Sequence, residues 1–255
     1  MNRRLGTLAA VGALTLGVTG AGTAAASAPS PAGAGHTATA EIFATDNTAT
    51  ITDPADPRLK TRLVRFDREV RNIIRTHGAK PGRSTLLDGV FWSSDLKQAT
   101  YERSREFDVN RVSKNGLHHL ADVIRKQYKQ ESVLTFRHLP RTSPETNAVD
   151  IEATGVTSRK LHDALLADPE ARDELGGGSV TAQDGRLILI APLADLPLAK
   201  KFVAELGVDW NKATVRYGAE EFVGDQDTAG PPPAQVDGGP ERCTGQDTYS
   251  LPGCG

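Results

Sequence analysis

The feature that most restricts this chain is a succession of hydrophobic periodicities that runs through it twice. Residues 39–44 have strand composition, and Asp53-Pro54 and Asp56-Pro57 follow as helix-start signals, an Asp to cap and a Pro for the first turn. Leu59, Leu63, Phe66, Val70 and Ile73 then recur at helical spacing, one apolar stripe that Gly78 stops. Residues 84–92 and 99–112 read as two strands joined by a polar turn at 93–96. A helix opened by Asn115-Gly116 presents Leu117, Leu120, Ile124 and Tyr128 on one face, and residues 132–139 return as a strand. The order is β-α-β-β-α-β.

The same order follows again. Val149, Ile151 and Ala153 alternate with Asp150 and Glu152, the pattern of a half-buried strand with an acidic solvent face. Ser158 is placed to cap a helix bearing Leu161, Leu165 and Leu166, which Pro169 interrupts and Gly176-Gly177-Gly178 ends. Val180 and Ala182 lead into Asp184-Gly185, a tight-turn signal, and residues 187–190 form a continuous apolar strand. Asp195 and Pro197 start a helix with Leu198, Phe202 and Leu206 inward, and residues 213–217 supply the last strand. Two such units predict an α+β fold of two tandem ferredoxin-like (βαββαβ) sandwiches with antiparallel sheets, at residues 39–140 and 147–222.

The ends of the chain are of different material. Arg3 and Arg4 precede a short, Gly-weakened apolar run, and Ala24-Ala25-Ala26 and Ala26-Ser27-Ala28 offer small-x-small cleavage patterns. Residues 1–28 therefore read as a signal peptide cleaved near Ala26 or Ala28, and residues 29–38 as a linker. The run is shorter than the roughly 20 apolar residues of a spanning helix, so the mature chain is expected to be secreted with no transmembrane segment. Residues 223–255 are Pro/Gly-rich and poor in apolar residues, a tail expected to be disordered. Cys243 and Cys254 lie within it, and an oxidising compartment would join them in one disulfide. Two thiolates without a neighbouring His are too few for structural zinc.

The first unit carries Glu41-Ile42-Phe43, Phe66-Asp67-Arg68-Glu69-Val70, Leu86-Leu87-Asp88-Gly89 with Trp92, Tyr128, and Gln130-Glu131-Ser132-Val133-Leu134. In these residues it resembles a family of small exported bacterial proteins whose domain has no assigned function. The resemblance covers residues 39–139 and implies an exported α+β unit, with no activity and no catalytic residues attached.

Chemistry-bearing patterns are few. Net charge is −2, from 30 basic and 32 acidic residues interspersed along the chain, which argues against a nucleic-acid partner. Arg58, Arg62, Arg65, Arg68, Arg71 and Arg75 read as the solvated face of the first helix. Neither phosphate-binding glycine signature occurs, so no cofactor is expected, and no His-Glu-x-x-His zinc helix is present. Asp225-x-Asp227-x-x-Gly230 starts like a calcium loop but lacks the later ligands. Ser94-x-x-Lys97 has serine–lysine spacing inside a polar turn, where both residues are common. Trp92 and Trp210 read as hydrophobic anchors, and 5% aromatic content offers no string of stacking rings.

These absences point to a secreted, non-enzymatic binding protein of protease-inhibitor or pro-region type, whose open sheet receives an extracellular protein or peptide strand. Two alternatives stand beside it. One is a hydrolase or metal-dependent enzyme with a His/carboxylate site between the units, drawn from His118, His119, His138 and Asp108. The other is a structural protein of the cell envelope, with the tail as spacer.

Overall fold

The computed structural model describes residues 40–46 and 49–224. Eight strands appear in chain order: β1 Ala40–Ala44, β2 Lys80–Ser93, β3 Gln98–Asn110, β4 Ser132–His138, β5 Ala148–Thr154, β6 Gly177–Thr181, β7 Arg186–Pro192 and β8 Thr214–Gly224. Five α-helices join them: α1 Val64–Thr76, α2 Lys114–Gln127, α3 Ser158–Ala167, α4 Pro169–Glu174 and α5 Leu196–Glu205. None of these helices is long and apolar enough to cross a membrane.

Every strand pair is antiparallel, and the ring closes in the order β1-β3-β2-β6-β7-β5-β8-β4 before returning to β1. Two separate ferredoxin-like α+β sandwiches are therefore not what forms. Pairing of β2 with β6 (Leu87 opposite Thr181) and of β4 with β8 (Val133 opposite Val223) fuses the two halves into one eight-stranded barrel. Periodicity reports that a residue is buried, but it is silent about which strand lies beside it. Four sheet edges would have remained exposed in two separate units, and closure pairs all of them. It also removes, among the described residues, the open edge to which a peptide strand would have added.

The helices coat the outside. Phe66, Val70, Ile73 and Ile74 of α1 and Leu117, Leu120 and Ile124 of α2 pack on Ala40, Ile42, Phe107, Val109 and Val133. Each of the large side chains contributes about 1.5–3 kcal/mol by leaving water. Leu161, Leu165, Phe202 and Val203 cover Val149, Ile151, Leu187 and Leu189 in the second half. The two layers share strands across the halves, since Val90 belongs to the second cluster and Val223 to the first.

Several boundaries depart from the sequence expectation for local reasons. Asp56 and Pro57 start only a 3-10 turn, Pro57–Lys60, and the helix proper begins after Leu63, which adopts a left-handed φ of 48°. The guanidinium groups of Arg103 and Arg105 donate to the carbonyls of Thr61 and Arg62, which holds those carbonyls away from a continuing helix. Thr157 rather than Ser158 caps α3, and no side chain caps α5 at Asp195. Gly177 and Gly178 belong to β6 instead of ending a helix. A Cβ at Gly177 would lie 2.3 Å from the Val90 carbonyl oxygen, so the close approach of β6 to β2 requires glycine there.

Candidate metal centre

Side chains alternate across a strand, so each strand that packs one face under helices sends the other into the barrel. On β1, Ala40, Ile42 and Ala44 lie under α1 and α2, which leaves Glu41 inward. On β3, Phe107 and Val109 face the helices, and Glu106 and Asp108 face the axis. The same logic turns Phe136 and His138 of β4, Asp150 and Glu152 of β5, Arg186 of β7 and Arg216 of β8 inward. Leu87, Phe136 and Ile188 fill part of the interior, which also takes the hydroxyl side chains of Ser104 and Thr181 and a cluster of charged groups.

Register and one irregularity set the geometry. Glu41 is directly opposite Asp108 on β3 and opposite Phe136 on β4, and Asp150 is opposite Arg216. The ladder of β2 and β3 slips between Pro81 and Ser84, and this bulge lets the Arg83 amide donate to Asp108 Oδ2 at 3.2 Å. Gly82 makes the approach feasible, because a Cβ there would sit 2.7 Å from the Asp108 Cβ.

The interior holds five carboxyl groups, Glu41, Glu106, Asp108, Asp150 and Glu152, against the guanidinium groups of Arg186 and Arg216. One nitrogen of Arg216, Nη2, donates to Asp150 and Glu152 and lies 3.4 Å from Glu41 Oε1; Arg186 donates to Glu152. His138 Nε2 lies 3.2 Å from Glu41 Oε1 without hydrogen-bond geometry. Exposure falls from the mouth inward: the side chains of Arg216 and His138 are 20% and 17% exposed, whereas Glu41, Glu106 and Asp150 are 1%, 2% and 0% exposed.

Burial in this setting works against charge. Desolvation, with the negative field of Glu41 and Asp108 added, pushes the Glu106 carboxyl well above the ordinary range. Asp150 is pushed up by desolvation and by Glu41, with Arg216 opposing. Desolvation alone would lower the Arg216 pKa; attraction to Asp150, Glu41 and Glu152 outweighs it and raises the pKa above its usual value.

Donor atoms of Glu41, His138 and Asp150 all lie within 4.8 Å of one another, and so do those of Glu41, Glu106 and Asp108. Both carboxylate oxygens of Glu41, Oε2 of Glu106 and Oδ1 of Asp150 accept no hydrogen bond. Leaving such groups dry and unsatisfied is costly, on the order of 1–3 kcal/mol each and more when charged. An imidazole nitrogen beside carboxylate oxygens suits a first-row divalent cation.

The four residues singled out in the sequence divide into two pairs. His138 and Asp108 both stand in the barrel, each in one of the two sets that share Glu41. His118 and His119 lie outside it on α2: His118 Nδ1 is 3.0 Å from Glu221 Oε1, and the ring of His119 lies 5.2 Å from that of His77. A cleft of about 250 Å³ between α2, β4 and β8 includes Lys114, Arg137 and Glu221 in its wall, but Arg137 pairs with Glu145 and Glu221 with His118. Ser94 and Lys97 are exposed in the turn between β2 and β3. Arg172 stacks over Trp92 at 4.3 Å, and Lys200 lies 5.7 Å from the Trp210 ring. Of the six arginines expected on the first helix, Arg58 and Arg62 precede α1, and all but the half-buried Arg71 are exposed. Cys243, Cys254, Asp225, Asp227 and the cleavage positions lie outside the described residues.

Glu41, Glu106, Asp150, Glu152 and Arg216 did not emerge from the sequence. Asp150 and Glu152 alternate with apolar neighbours and read as a solvent face, yet both faces of β5 are buried. The available signal was charge at every second position of strands from both halves.

No protein-family model and no curated protein matches the chain. Among solved structures, it is similar to a "putative monooxygenase" from Lactobacillus acidophilus NCFM, over 72% of this chain and 95% of that one, at 10% identity and a TM-score of 0.23. It is also similar to an anthrone oxidase-like protein, over 73% of this chain and 94% of that one, at 10% identity and a TM-score of 0.23. Likenesses at this level carry no argument about chemistry.

Proposed function

We propose that this chain is a metal-binding protein that holds one first-row divalent cation inside the barrel, ligated by Glu41, His138 and Asp150. The observation that carries the reading is Glu41: a carboxylate 1% exposed, with no hydrogen bond to either oxygen, in an interior with more acids than bases. A cation supplies the charge and the coordination that the side chains leave unmet. Arg216 neutralises only part of the cluster, because a single nitrogen is shared among Glu41, Asp150 and Glu152.

Three protein ligands leave positions for water, the form of a catalytic rather than a closed structural site. The partial exposure of His138 and Arg216 supports entry of an ion with its water from their side. These points favour the metal-dependent enzyme over a sheet-edge binder, whose edge the closed ring lacks.

The test uses the full chain, stripped with chelator, dialysed against Mn²⁺ and counted by elemental analysis. Retention of at least one Mn²⁺ per chain, reduced in Glu41→Gln, is expected. Equal retention by the two proteins, or none in either, overturns the reading.

A further inference from the structure

Glu41 stands in both donor sets, and the second set is built as deeply as the first. Glu41, Glu106 and Asp108 are 1%, 2% and 6% exposed, and their donor oxygens lie within 4.8 Å of one another. The strand register produces this. Asp108 faces Glu41 directly across the β1–β3 ladder, and Glu106 is two residues along on the same inward face. On the other side of β1, His138 stands diagonal to Glu41 across the β1–β4 ladder. One carboxylate thus has a donor group on each flank.

The second set also contains an unmet atom of its own. Oε2 of Glu106 accepts no hydrogen bond, and neither does Oε2 of Glu41, while Oε1 of Glu41 is the oxygen that approaches His138. The Arg216 nitrogen that touches Glu41 reaches Asp150 and Glu152, on the side of the first set.

We propose that Glu41 bridges two cation positions, the second formed with Glu106 and Asp108, so that the barrel holds a pair of divalent ions. The inference rests on the single-ion reading above and extends it. The two positions differ in chemistry: the first has an imidazole nitrogen, whereas the second is all carboxylate oxygen and suits a hard cation such as Mn²⁺, Mg²⁺ or Ca²⁺. Ions bridged by one carboxylate lie about 3.5–4 Å apart in two-metal sites, close enough for two Mn²⁺ ions to couple magnetically.

Mn²⁺ alone is the probe, added to the chelator-stripped full chain, with stoichiometry from equilibrium dialysis and coupling from electron paramagnetic resonance. The expected result is two Mn²⁺ per chain with a spin-coupled spectrum. Asp108→Asn and, independently, Glu106→Gln should each reduce this to one Mn²⁺ with an uncoupled six-line signal. A wild-type stoichiometry of one overturns the pair and leaves the single-ion reading standing; a stoichiometry of zero overturns both. Two ions without coupling overturn the bridge, since they would sit apart. Should both variants fail to fold, as circular dichroism would reveal, the wild-type stoichiometry and coupling decide the matter alone.

Discussion

His138 on β4 holds its Nε2 3.2 Å from Oε1 of Glu41 on β1, one strand away and diagonal in register inside the barrel. The imidazole is the sole nitrogen donor in the two sets of candidate ligands. His138→Ala is therefore expected to weaken Mn²⁺ binding by more than the roughly 10–100-fold that loss of an outer-shell partner costs. Calorimetric titration would measure this. The same change removes a ring contact with Phe136 at 5.1 Å, worth about 0.5–1.5 kcal/mol to the metal-free protein beyond the area the ring buries. A variant that binds Mn²⁺ like the wild type would remove His138 from the centre.

Arg216 is the hub of the interior ion pairs. Arg216→Leu keeps apolar volume but leaves Asp150 without its guanidinium donor, Glu152 with Arg186 alone and Glu41 without its contact. Breaking a buried pair from one side costs about 3–5 kcal/mol. Urea unfolding in the presence of chelator should show a loss of that size. A loss under about 1 kcal/mol would mean that the carboxylates take up protons in place of the lost guanidinium.

Gly218 lies where β8 crosses β4 and Phe136 needs room. A Cβ there would sit 2.4 Å from the Arg137 carbonyl oxygen and 2.4 Å from two atoms of the Phe136 ring. The backbone oxygen cannot swing aside as a side chain can. Gly218→Ala should destabilise by about 1–3 kcal/mol through overpacking, read as a lowered thermal midpoint. An unchanged midpoint would contradict the tight β4–β8 contact.

Asp168 caps α4, its Oδ1 accepting from the amides of Glu170 and Ala171 at 3.0 and 3.2 Å, while Lys201 Nζ donates to Oδ2 at 3.0 Å. The Lys201 hydrogen bond, followed by those two amides, holds the Asp168 carboxyl below its ordinary value. A group depressed in the fold contributes stability above its unfolded pKa, and that contribution is lost as pH falls through the folded pKa. Asp168→Ala should thus cost about 0.5–2 kcal/mol at neutral pH. The gap from wild type should shrink on acidification below about pH 4. Chemical unfolding at a series of pH values reads it, and a gap that widens on acidification would reverse the sign of the argument.

Much of the local structure was written in short-range pattern. The stripe Leu117, Leu120 and Ile124 marks the buried face of α2, and Asp184-Gly185 makes the turn before β7 with Gly185 at φ 64°. Pro169 ends α3 and starts α4, as its missing amide requires. The start of α1 was not legible, because Asp56-Pro57 has every local feature of a cap while the competing donors come from Arg103 and Arg105 on a distant strand.

The sequence by itself determined which residues alternate, which helices are amphipathic and where most of the turns fall, because those properties depend on neighbours a few residues apart. Only the tertiary structure decided that the strands close into one ring. That closure turned Asp150 and Glu152 from an apparent solvent face into a buried one, and brought them to Arg216 and Glu41. The difference is physical: a strand's two faces are alike in sequence terms until its partners are known, and pairing register is a property of two segments at once.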